Sequence, residues 1–133
     1  MLDAAARKII APPLNAVGRG LAARGVSADA VTIAGLGLGL IAALLIVFGA
    51  FSAALVFLLA SRISDGLDGA VARATQKTDF GGYLDIAADF LFYGVIVLAF
   101  VLFDTGANGT AGAFLLTSFY FNGTSFLGYA ILA

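Results

Sequence analysis

Four aspartates, Asp65, Asp68, Asp85 and Asp89, fall within a 25-residue stretch of a chain that has no histidine and no cysteine. At about 3.6 residues per helical turn, Asp65, Asp68 and Ala72 share one face of a helix, and Asp85 and Asp89, at i and i+4, share a face of the next. The intervening residues 75–82 are polar and contain glycine, which predicts a short turn that sets the two helices side by side. Both carboxylate pairs then point into one cleft. Four clustered acids repel one another unless a cation sits among them, and carboxylate oxygens suit hard divalent ions such as Mg²⁺, Mn²⁺ or Ca²⁺. Without cysteine or histidine a zinc or soft-metal site is excluded, and a metal site that handles phosphate is the expected chemistry. Gly66, Gly69, Ala70 and Ala72 leave the helix surface bare, so a bulky ligand or a neighbouring helix can approach the backbone.

These residues resemble the signature of the CDP-alcohol phosphotransferases: D-x-x-D-G-x-x-A-R, a loop of about eight residues, then G-x-x-x-D-x-x-x-D. Here the pattern is supplied by Asp65, Asp68, Gly69, Ala72 and Arg73, then Gly81, Asp85 and Asp89. Eight specified positions in order are far more specific than a lone glycine motif. One departure is visible, because seven residues, 74–80, separate Arg73 from Gly81. A one-residue deletion in a turn is ordinarily tolerated.

The resemblance implies a membrane enzyme that transfers a phosphoalcohol group from a CDP-alcohol, such as CDP-diacylglycerol, to a small or lipid acceptor alcohol with release of CMP. It implies one or two divalent ions, Mg²⁺ or Mn²⁺ and two by expectation, held by Asp65, Asp68, Asp85 and Asp89. Asp89 is the family's usual candidate for general base, a role that competes with metal ligation because a bound ion reduces its basicity. Gly69, Ala72 and Arg73 are expected at the cytidine diphosphate, where a guanidinium fits phosphate. A homodimer is expected on the same ground. The family has about six membrane helices, so the chain is expected to be incomplete at its C-terminal end.

Composition agrees with a membrane setting: 62% of the 133 residues are hydrophobic and mean hydropathy is +1.06, well outside the range of ordinary soluble domains. The formal net charge of −1 gives no reason to expect a nucleic-acid partner, and none is expected. The arginines near the start are scattered through alanine, which argues against a cleaved signal peptide.

The elements that must position the aspartates form an all-α, polytopic transmembrane bundle, a single membrane domain over residues 1–133. Residues 1–26 read as an interfacial amphipathic segment, with Ile10, Leu14, Val17 and Leu21 on one helical face and Lys8 and Arg19 opposite. Pro12 and Pro13 are expected to start a second short helix there. Gly25 supplies a stop, and Ser27 with Asp29 a cap and first-turn acid for the next helix. Residues 27–133 make the bundle, with about four of the six expected spans. Residues 31–48 form the first, long enough for a hydrocarbon core of roughly 30 Å. Residues 49–52 make a tight return and residues 51–73 a second helix that runs through the motif. Residues 82–103 form the third, residues 104–110 a turn, and residues 111–133 the fourth. Arg7, Lys8, Arg19 and Arg24 precede the first span, and Arg73 and Lys77 lie between the second and third, while the other two loops carry no cation. The positive-inside tendency therefore sets the acidic cleft toward the cytoplasm.

An ionisable residue inside a span costs roughly 3 kcal/mol near its centre, so four of them require compensation, by a metal or by pairing with Arg62, Arg73 or Lys77. Asp79 and Asp104 read as loop acids, Asp3 and Asp29 have no functional role, and Lys77 reads as a solvated loop charge. Gly37, Gly39 and Gly66 are candidate helix-packing residues, and Phe90, Phe92 and Tyr93 read as core or lipid contacts. Asn108 and Asn122 begin chance matches to a glycosylation pattern. The alternative to the enzyme is a cation-coupled transporter fragment using paired intramembrane aspartates, which predicts acids at the bilayer midplane on broken helices.

Overall fold

The structure, a computed structural model, describes residues 2–132, with side chains from Ile10 onward. The side chains of Arg7 and Lys8 therefore lie outside the described residues. The described chain is helical almost throughout: α1 Leu2–Ala23, α2 Ala28–Val47, α3 Phe51–Ala74, α4 Asp79–Phe103 and α5 Thr105–Leu132.

Local sequence sets most of the boundaries. Gly25, at φ +78, ends α1 in the left-handed region that favours glycine, with Gly25 N donating to the Ala22 carbonyl and Val26 N to that of Leu21. Gly49, at φ +73, ends α2 in the same way, with bonds from Gly49 N to Ile46 and from Ala50 N to Leu45. Ser27 Oγ accepts from Ala30 N at 3.2 Å and Thr78 Oγ1 from Gly81 N at 2.9 Å, so α2 and α4 both start on side-chain caps. The short links make α2, α3 and α4 successively antiparallel. Hence the start of α2, the end of α3 and the start of α4 meet at one end of the bundle.

Three expectations are corrected. Pro12 and Pro13 lie inside a continuous α1 instead of starting a second helix; proline already has a helical φ, so the pair forfeits two backbone donors without forcing a break. The stretch 104–110 is not a turn. Asp104 alone joins α4 to α5, its Oδ1 accepting from Ala107 N at 2.9 Å, so the glycines and asparagine that follow form the first turns of α5. On α2 the packing glycines are Gly35 and Gly39, while Gly37 has nothing within 4 Å of where a Cβ would lie.

The interior is built from small residues and the periphery from large ones. Ala42, Ala43, Ala54, Ala70, Val71 and Ala99 are buried, whereas Leu44, Leu55, Leu59, Leu98 and Leu102 face outward. In water this would be inverted; among lipid tails the drive toward burying large side chains vanishes, and close backbone approach holds helices together. Ser61 Oγ donates to the Gly35 carbonyl at 2.7 Å and fastens α2 to α3 at such an approach. By length and composition α2 and α4 can cross a membrane, and α3 and α5, at 24 and 28 residues, have the length to do so.

Amphipathic α1 lies against α3. Leu14 packs over Gly66, and Gly18 meets Ala70 so closely that a Cβ at position 18 would stand 2.6 Å from that of Ala70. Of the expected apolar face, Leu14 and Leu21 are half-buried, while Ile10 and Val17 are exposed.

A Cβ at position 39 would lie 2.5 Å from Phe92 Cδ2. Gly39→Ala is therefore expected to destabilise the bundle by about 1–3 kcal/mol, read as a lower melting temperature in detergent. Gly37→Ala should leave it unchanged or raise it by up to about 1 kcal/mol.

Candidate active site

The two helices that carry the aspartates do not lie side by side as expected: both pack on α2 and scarcely touch each other, and their carboxylates meet across the space between them. One oxygen from each of Asp65, Asp68 and Asp85 lies within 4.8 Å of the others, gathering α3 and α4 around one point. Asp68 is buried at 5% exposure and is tied to α2, where Thr32 Oγ1 stands 2.7 Å from Asp68 Oδ2 and 3.1 Å from its own Ala28 carbonyl. The hydroxyl has one proton, and the shorter bond to the carboxylate is the stronger. Asp89 lies beside the triad, its carboxylate next to that of Asp65 and lining the same cavity. Its Oδ1 accepts from Arg62 Nη1 at 3.0 Å, and the same nitrogen lies 3.7 Å from Asp65 Oδ1.

Two cavities flank the carboxylates. One of about 270 Å³ opens among the start of α2, the end of α3 and the start of α4, and its wall holds Asp68, Gly69, Ala72, Arg73 and Asp85. Lys77 and the first turns of α2 and α4 complete it, so cationic side chains and helix N-termini face the space. The other, of about 540 Å³, is closed by Ile10, Leu14 and Asn15 of α1. Asp68, Gly69, Arg73 and Asp85 border both cavities, Asp65 and Asp89 only the second of the two.

The sequence-predicted residues are thus brought to one end of the bundle, with differences of detail. The space left by Gly69 is used by Arg73, whose Nη1 would be 3.3 Å from a Cβ at position 69. Arg73 is exposed, and its Nη2 donates to Asn15 Oδ1 at 2.9 Å. Asp29, read as having no role, lines the smaller cavity, and its Oδ1 would be 3.0 Å from a Cβ at Gly81. Asp79 opens α4 as a first-turn acid. Phe92 is buried, whereas Phe90 and Tyr93 are partly exposed, Phe90 packing against Gly123. Sequence reasoning missed Thr32 and Asn15. A polar residue inside the apolar run of α2 was the available signal for Thr32; Asn15 carried none.

The sequence pattern of the CDP-alcohol phosphatidyltransferases matches residues 26–129, and the chain belongs to that family. Over 133 residues it is 42% identical to inner membrane protein YnjF of Escherichia coli strain K12, covering 100% of this chain and 65% of that protein. Over 117 residues it is 30% identical to archaetidylinositol phosphate synthase of Pyrococcus horikoshii, covering 84% of this chain and 62% of that one. The chain thus spans a little under two thirds of the length of these relatives. No solved structure matches.

Within the triad Asp68 has the Thr32 hydroxyl and Asp65 has Arg62, but Asp85 has neither a hydrogen-bond nor an ion-pair partner among the described residues. Asp85→Asn is therefore expected to melt higher than the wild type in metal-free detergent solution. A melting temperature lowered by the substitution would show that like-charge repulsion does not burden the site.

Proposed function

We propose that this protein is a CDP-alcohol phosphotransferase of phospholipid synthesis, moving a phosphatidyl or similar phosphoalcohol group from a CDP-alcohol to an acceptor alcohol with release of CMP. The observation that carries the reading is the division of the site. Ala72 and Lys77 line a small cavity, Asp65 and Asp89 a larger one beside α1, and Asp68, Gly69, Arg73 and Asp85 border both. This is the layout a two-substrate transfer needs, with the donor on one side of the carboxylates and the acceptor on the other.

The smaller cavity would take the cytidine diphosphate, where Arg73 and Lys77 oppose phosphate charge and the amide ends of α2 and α4 face it. The triad consists wholly of carboxylate oxygens within 4.8 Å of one another, a donor set that fits Mg²⁺ or Mn²⁺. Asp65, Asp68 and Asp85 would hold the ion, and its charge would stabilise the departing CMP. Asp89 takes the proton of the acceptor hydroxyl, whose oxygen attacks the β-phosphorus as the bond to the CMP oxygen breaks. Thr32 keeps Asp68 turned toward the triad. Residues 1–133 would act as one membrane domain in the bacterial or archaeal cytoplasmic membrane, as a homodimer, with the cleft toward the cytoplasm where cytidine nucleotides are found.

The test is release of CMP from CDP-diacylglycerol in detergent with a panel of acceptor alcohols. Acceptor-dependent release that requires Mg²⁺ or Mn²⁺ and falls roughly 10²- to 10⁴-fold in Asp89→Asn supports the proposal; release unaffected by that variant contradicts it. Thr32→Val, which removes the hydroxyl but keeps the shape, should weaken Mn²⁺ binding about 10- to 100-fold while the protein stays folded.

A further inference from the structure

Asn15 of α1 lies outside residues 26–129, which match the family pattern, yet it makes the one side-chain hydrogen bond from α1 to the site among the described residues. Helix α1 is fastened to α3 inside the motif, where Leu14 packs over Gly66 and Gly18 meets Ala70. These contacts set Asn15, the residue after Leu14, in the wall of the larger cavity. Arg73 comes back to meet it. Side chains on a helix lean toward its N-terminus, and without a Cβ at Gly69 the Arg73 stem lies back along α3, its Nη1 3.3 Å from where that Cβ would stand. Nη2 then donates to Asn15 Oδ1 at 2.9 Å. Arg73 borders a cavity that also holds Asp65, Asp85 and Asp89, and an exposed arginine on a flexible stem is drawn to such carboxylates; among the described residues it pairs with none of them. Asn15 is a neutral acceptor, so it holds the guanidinium without offsetting the charge, which a carboxylate partner would do.

We propose that Asn15 is a positioning residue for the donor substrate: acting through Arg73, it holds the guanidinium over Gly69 at the boundary of the two cavities, charged and clear of the aspartates, where the pyrophosphate of the CDP-alcohol has to stand. This rests on the transferase reading above. In that reading CMP stays in the smaller cavity while the β-phosphorus is attacked from the larger one, so the cation that binds phosphate belongs at the boundary, and Arg73 borders both spaces. Asn15 takes a single N–H of the five that the guanidinium carries, and the others remain to donate to phosphate oxygens. With no acceptor at position 15 the arginine swings free, and its charge is spent on the nearby carboxylates before the donor arrives.

The test is binding of CDP-diacylglycerol to the full chain in detergent with Mg²⁺, measured by titration calorimetry, alongside acceptor-dependent CMP release. Asn15→Leu, which keeps the size and removes the acceptor, should weaken donor binding about 3- to 10-fold, with KM rising in parallel and kcat little changed. Asn15→Gln, which keeps the amide oxygen, should recover most of the affinity. Arg73→Leu should weaken binding at least as much as Asn15→Leu, and adding Asn15→Leu to it should cost nothing further, because Asn15 acts through Arg73. An equal loss from Asn15→Leu with and without Arg73 overturns the inference while leaving the transferase reading intact, as does a folded Asn15→Leu protein that binds the donor like the wild type. If Asn15→Leu does not fold, Asn15→Ala serves the same comparison. A wild type that neither binds CDP-diacylglycerol nor releases CMP overturns the transferase reading and this inference together.

Discussion

Carboxylates from α3 and α4 converge to within 4.8 Å of one another in an otherwise apolar bundle, and each ionised pair at that separation repels by on the order of 3 kcal/mol at the effective dielectric of a partly exposed site. The chain relieves part of this itself. Thr32 gives Asp68 a charge-assisted hydrogen bond, of the order of 1.5–3 kcal/mol, and Arg62 offsets Asp89 and, at longer range, Asp65. Neither hydrogen-bonds to or ion-pairs with Asp85 among the described residues. A divalent cation among the three would relieve the repulsion that remains, and the fold must hold the arrangement open against its own electrostatics.

It does so through close backbone contact. Gly35 and Gly39 let α2 approach α3 and α4, and Gly18 lets α1 approach Ala70. Because the interior side chains are small, the helices cannot slide without losing these contacts, and the carboxylates keep their register across the cleft. The same approach at Gly39 admits Phe92, whose ring centroid lies 3.8 Å from Arg62 Cζ and supports the guanidinium. Packing and charge balance are thus linked through a single glycine on α2.

How much of this was legible in the sequence follows from the range of each interaction. The aspartate spacing, the stop at Gly25, the return at Gly49 and the cap at Ser27 are local, encoded within one or two turns, and the structure agrees with them; the cap at Thr78 is equally local but was not singled out. Pro12, Pro13 and the stretch after Asp104 misled because proline and glycine are also compatible with helical backbone once neighbouring packing favours it. Thr32, Asn15 and the partners of Arg62 were hidden for another reason: their roles exist only across helices, 36, 58 and 27 positions away in sequence. The choice of Gly39 over Gly37 was likewise undecidable before the helix phase against Phe92 was known.

The central claim is that the acidic triad gathers a divalent ion against the donor's pyrophosphate. Pulsed electron–nuclear double resonance of the Mn²⁺-loaded protein with CDP-diacylglycerol tests this directly. The account predicts a resolved ³¹P coupling of directly ligated phosphate in the wild type, absent in Asp68→Asn. Mn²⁺ bound at Asp65, Asp68 and Asp85 with no phosphorus coupling in the presence of bound donor would contradict it.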